Sequence, residues 1–134
     1  MILTTKAKYA VIAVAELIAS VDKNPVALSE IAKNQKISLS FLEQIFSCLK
    51  KAEIVKAVKG PGGGYLIAKS NVNVADIILA IKEPVKMTRC SGNEGCNGKS
   101  GKCITHKIWR GLEKNIFDYL ESISLQEIIK QHKL

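Results

Sequence analysis

Four residues of this chain could hold a metal. Cys90, Cys96, Cys103 and His106 fall within seventeen residues, in the run C-S-G-N-E-G-C-N-G-K-S-G-K-C-I-T-H. Three soft thiolates and one imidazole can close around a single centre, and zinc and iron–sulfur clusters are the groups such donors select. Gly92, Gly95, Gly98 and Gly101 interrupt the run, permitting unusual backbone angles and leaving amides free to point at sulfur. Arg89, Lys99 and Lys102 lie beside the donors and favour thiolate over thiol. His106 follows Cys103 at the spacing that shares one helix face. Ligand type alone leaves zinc, an iron–sulfur cluster, a disulfide pair and a bare thiol sensor open. The fourth cysteine, Cys48, lies in an amphipathic pattern and reads as a small buried hydrophobe. His132, alone near the end, reads as a solvated helix-end residue.

A second set of residues could read DNA. Ser38, Ser40, Phe41, Glu43 and Gln44 open a helical run. Serine donates or accepts, glutamine pairs with adenine, glutamate accepts from cytosine, and an aromatic ring can touch a thymine methyl. Downstream lies Lys59-Gly60-Pro61-Gly62-Gly63-Gly64-Tyr65, whose glycines allow close approach to a sugar–phosphate wall. Thr4, Lys6, Lys8, Lys50, Lys51, Lys56 and Lys59 could engage phosphates. The formal charge is +8 and the pI about 9.4, which favours nucleic acid first and an anionic membrane surface second. Of the 20 cations, 18 are lysine, so base reading cannot lean on bidentate arginine. The glycine run lacks the trailing Lys-Ser/Thr of a phosphate-binding P-loop, and a β-prone run follows it, which argues against a nucleotide site.

The elements that must position these residues are mostly helical. Apolar spacing predicts helices over 6–20, with Tyr9, Ala13, Val14 and Leu17 in register, then 28–34 and 38–51. Leu42, Ile45, Phe46 and Leu49 should form one buried face of the third helix. Ser40 and Glu43 have capping-box spacing, so Glu43 reads either as a cap partner or as a base reader. Residues 54–58 and 65–67 flank the glycines as a hairpin. Asn73 should cap a helix over 74–82, a long helix should span 104–120, and Ser124 with Glu127 should open a last short one. Helix, helix, turn, helix, hairpin is the order of a winged helix-turn-helix.

At this point the sequence resembles the IscR-type iron–sulfur cluster regulators, among the bacterial winged-helix repressors. The matching stretches are Leu3-Thr-Thr-Lys-Ala-Lys-Tyr-Ala10, Ile37-Ser-Leu-Ser-Phe-Leu-Glu-Gln44, Lys59-Gly-Pro-Gly-Gly-Gly-Tyr65, Thr88-Arg-Cys90 and Cys103-Ile-Thr-His-Lys-Ile-Trp109. They run over nearly the whole chain. The resemblance implies a 2Fe–2S cluster on Cys90, Cys96, Cys103 and His106, with zinc the weaker alternative. It also implies that Glu43 disfavours one class of DNA site until the cluster is bound. Lys59 stands where the family often has arginine and Phe41 where tyrosine is frequent, so that guanidinium and that phenolic hydroxyl are missing here.

In the long helix, Ile108, Leu112, Ile116, Tyr119 and Ile123 recur at helical spacing, with Trp109, Phe117 and Leu120 widening the apolar surface. Such a helix packs on its own domain or forms a dimer seam, and the family resemblance implies a dimer. A twofold dimer would place two recognition helices on a palindromic double-stranded site. The expected organisation is a DNA-binding part over 1–82, a cluster loop over 83–103, and dimerisation and C-terminal helices over 104–134. No signal peptide is recognisable at the start, and the apolar stretch 9–15 is too short to span a membrane. A cytoplasmic regulator follows, in a compartment where clustered cysteines serve as ligands more often than as disulfides. The alternatives are a nitric oxide-sensing repressor, a zinc- or thiol-dependent repressor, and a small iron–sulfur electron carrier or enzyme. No substrate-pocket, Ser/His/Asp or nucleotide signature supports an enzyme.

Overall fold

A computed structural model of the chain describes residues 4–20, 24–83 and 104–132. Within them the order is α1 (Thr5–Ala19), α2 (Leu28–Gln35), α3 (Leu39–Lys51), β1 (Val55–Val58), β2 (Gly64–Ile67), α4 (Val74–Ala80), α5 (His106–Ser122) and α6 (Leu125–His132). The mostly helical winged helix-turn-helix expected from the sequence is the observed fold, with boundaries shifted by one or two residues. The turn expected at 22–25 lies partly outside the described residues.

Small residues let α1 run through the middle of the core. Ala7, Ala10, Ala13, Val14 and Leu17 form its buried face, and alanine costs nothing in side-chain entropy there. The Thr4 hydroxyl accepts from Ala7 N at 3.2 Å and caps it. Leu42, Ile45, Phe46 and Leu49 of α3 are fully buried, as the spacing predicts. They join Ile31, Ile77, Ile78, Val72 and Leu125 in one core. Leu125 belongs to α6, so the last helix is built into the same core as α1 to α4. Cys48 is half-buried against that core, a free thiol on α3.

Three helices end on a left-handed residue that is not glycine: Lys36 (φ 54°), Glu53 (φ 61°) and Lys82 (φ 60°). After each, a backbone bond returns to the helix: Ile37 N to Ala32 O at 3.0 Å, Ile54 N to Leu49 O at 3.0 Å, and Glu83 N to Ile78 O at 3.2 Å. This is the Schellman arrangement, in which an apolar residue just past the turn commonly closes onto the helix. Ile37 and Ile54 fill that role and are buried. Asn73 caps α4 as expected, with Asp76 as its reciprocal partner. Ser124 accepts from Glu127 N at 3.4 Å at the start of α6.

Candidate nucleic-acid interface and metal centre

The turn between α2 and α3 decides where α3 starts. With Lys36 left-handed and Ile37 buried, Ser38 is the last extended residue, and its Oγ accepts from Phe41 N at 3.4 Å. Ser38 is therefore the N-cap, and the Ser40–Glu43 capping box does not form. The position three past the cap is Phe41, which has no acceptor to complete a box. Ser40 lies inside the first turn instead. Glu43 is thereby released from any capping duty and is exposed.

Around α3, Ser40, Glu43 and Gln44 point away from the core, and none of their side chains is engaged within the described residues. Ser47 shares that exposed face, one turn beyond Glu43. Sequence reading restricted to the first turns of the helix passed it over, although its i+4 spacing from Glu43 was visible. Phe41 turns the other way: its ring is half-buried and meets Tyr9 of α1 edge-on at 5.9 Å and 86°. Lys50 and Lys51 are exposed in the last turn, where cations also suit the helix dipole. Lys6 is half-buried and Lys8 exposed on α1.

The wing is a two-stranded antiparallel hairpin pairing Val55 with Ile67, Lys56 with Leu66, Ala57 with Tyr65 and Val58 with Gly64. At its tip Gly63 N donates to Gly60 O at 2.9 Å. Pro61 and Gly62, the latter at φ +74°, occupy the two central positions. Proline followed by a positive-φ glycine is the signature of a type II turn. Lys59, Gly60, Pro61 and Gly62 are exposed at this tip. The base is tied inward: Tyr65 and Val26 exchange two backbone bonds, each 2.9 Å. The Tyr65 ring lies 4.9 Å from that of Phe46. Gly64 approaches Val26 so closely that a Cβ there would sit 2.4 Å from the Val26 carbonyl.

Of the four candidate metal ligands, Cys90, Cys96 and Cys103 lie outside the described residues. His106 is the first residue of α5 and is half-buried. Of the long helix's 17 residues none is fully buried. Ile108 is 61% exposed, Leu112 38% and Tyr119 65%, whereas Trp109, Ile116, Leu120 and Ile123 are half-buried. A helix so rich in apolar residues is rarely left this open on a lone subunit. No helix among the described residues is long and apolar enough to cross a membrane.

A family model described as "Iron-dependent Transcriptional regulator", the Rrf2 family, matches residues 3–131. The chain belongs to the Rrf2 family. Over its whole length it is 46% identical to the HTH-type transcriptional regulator IscR of Photorhabdus laumondii, covering 82% of that protein. Against IscR of Escherichia coli O1:K1 the identity is 43%, with 83% covered. Among solved structures, IscR of T. potens superposes with a TM-score of 0.78 at 30% identity, covering 98% of this chain and 88% of that one. CymR, described as the global cysteine regulator of B. subtilis, shares the fold, with a TM-score of 0.78 at 23% identity and 98% of each chain covered. These Rrf2 relatives are transcriptional regulators rather than enzymes. The chain is thus a transcriptional regulator of the Rrf2 family with a winged helix-turn-helix fold.

Proposed function

We propose that this chain is a dimeric regulator that senses a 2Fe–2S cluster and controls genes of iron–sulfur cluster assembly. The observation that carries the reading is the pairing of an open, polar α3 face with a three-thiol, one-imidazole donor set in a single iron-dependent regulator family. The division of labour is a reading part over 1–82, a ligand-bearing loop over 83–103 and a dimer part over 104–134.

The donor set suits the group. Cys90, Cys96, Cys103 and His106 offer soft sulfur plus one neutral nitrogen, and His106 stands on a helix start that gives its ring a defined base. When bound, such a cluster supplies an iron centre responsive to iron supply and oxidants, and imidazole ligation raises its potential above that of an all-thiolate site. The ligand-bearing segment joins α4 to α5, and these two helices pack together. A change in ligation therefore bears on how α5 sits against the reading head.

At the DNA, Ser38, Ser40, Glu43 and Gln44 face base edges, with Phe41 buttressed by Tyr9. Lys59, Gly60, Pro61, Gly62, Gly63, Gly64 and Tyr65 form the wing, while Thr4, Lys6, Lys50 and Lys51 meet the phosphates. Glu43, free of the cap, disfavours one site class by presenting an unpaired carboxylate to bases that offer only acceptors. The exposed stripe of Ile108, Leu112 and Tyr119, with Trp109, Ile116, Leu120 and Ile123 beside it, meets a second copy. An open apolar groove of about 400 Å³ lies between α1 and α4, lined by Ala7, Lys8, Val11, Ile12, Val74 and Ile78. Twofold symmetry then calls for a palindromic site.

The test is oxygen-free purification with visible absorption and iron, sulfide and zinc analysis, followed by DNA-binding titration of cluster-bound and cluster-free protein. The expected result is a reddish protein with about two iron and two sulfide per chain and a DNA preference that changes on cluster removal. A colourless protein with stoichiometric zinc would eliminate cluster sensing.

A further inference from the structure

The corner between α5 and α6 is stitched to the segment that leaves the wing. Val74 N donates to Ile123 O at 3.2 Å and Leu125 N to Val72 O at 2.9 Å. Ser124 Oγ donates to Asn71 Oδ1 at 2.6 Å. The Gln126 side chain completes the seam from both of its ends. Its Oε1 accepts from Val72 N at 2.8 Å and its Nε2 donates to Lys69 O at 3.4 Å. Val72 is fully buried, so its N–H depends on that side-chain oxygen in place of water. Lys69 is also held from the other side: its N–H reaches Ile54 O at 3.4 Å, at the foot of β1. Its ammonium pairs with Asp76 at 2.7 Å.

We infer that Gln126 is a positioning residue for the wing. Its amide clamps the first turn of α6, just past the end of α5, to the strand exit, so the wing's pose on DNA is set in part by where the α5–α6 corner lies. It touches no DNA itself; it acts through residues 69–72, two to five positions beyond β2. The inference rests on the DNA-binding reading of the wing.

The experiment is a double-substitution cycle on the full-length protein, with affinity measured by fluorescence anisotropy on a short duplex selected from a random-sequence library by the wild-type protein. Gln126→Glu keeps the acceptor for Val72 N and removes the donor to Lys69 O; Gln126→Ala removes both. Each should weaken binding, Gln126→Ala by about tenfold. In a Lys59→Ala background, where the wing contact is already lost, the further loss should be under about twofold. A merely structural role would lower the melting temperature without this coupling. Equal losses in both backgrounds overturn the inference, and the wing reading survives if Lys59→Ala alone weakens binding. No loss from Lys59→Ala overturns both.

Discussion

Tyr65 and Val26 trade two backbone hydrogen bonds, each 2.9 Å, so that Val26 adds an isolated rung beside β2. This rung brings the residue before α2 against the wing's returning strand and leaves no room for a side chain at Gly64. Gly64→Ala would place its Cβ 2.4 Å from backbone atoms of Val26. Backbone must shift to relieve it, and the expected loss is about 2–3 kcal/mol, read by urea denaturation. Gly62→Ala meets open space and suffers only its positive φ, for about 1–2 kcal/mol. Equal losses at the two sites would mean that the Val26 contact is unimportant.

Glu53 adopts the left-handed conformation at the end of α3 with a full side chain. Glu53→Gly should raise stability by about 0.5–1 kcal/mol, the strain relieved exceeding the entropy that glycine adds to the unfolded chain. Thermal unfolding checks this, and an unchanged or lower midpoint would refute it.

Gln44 and Lys59 should fail differently. Gln44→Ala should cost about 1–3 kcal/mol on the preferred duplex and relax the preference at one base position. Lys59→Ala should weaken all duplexes alike and lower the salt slope by about 1. Competition binding across single-base variants at several salt concentrations separates the two. A uniform effect from Gln44→Ala would remove it from base reading.

His106→Cys replaces imidazole by a fourth thiolate. An all-thiolate cluster is more negative, so its reduction potential should fall. An oxygen-free redox titration followed by visible absorption reads the shift. An unchanged potential with full iron content would show that His106 is not a ligand.

Ile108 and Tyr119 are exposed apolar residues of α5, 61% and 65% exposed. Ile108→Asp with Tyr119→Asp should yield a folded monomer by sedimentation, since each places a charge in a desolvated seam. Lys114→Asp, on the opposite side of the helix, should leave the assembly intact. A dimer that survives the first pair would refute the seam.

Much of this protein could be read directly from residue order. The buried stripe of α3, the glycine turn of the wing and the Asn73 cap are local patterns, and helical or strand period sorts their faces without outside help. The donor run from Cys90 to His106 is likewise a matter of type and spacing. The start of α3 was not determined locally. Ser38 and Ser40 both offer a capping hydroxyl, and the choice was made by burial of Ile37, which puts Lys36 in the left-handed turn and Ser38 at the cap. Glu43 was set free by that same tertiary event. Nor could spacing reveal that Gly64 answers to Val26, some forty residues earlier, or that Gln126 satisfies the N–H of Val72. Periodicity records which side of an element is apolar. Which partner meets that side, and which backbone group is left needing a donor or acceptor, is decided only when distant segments are packed together.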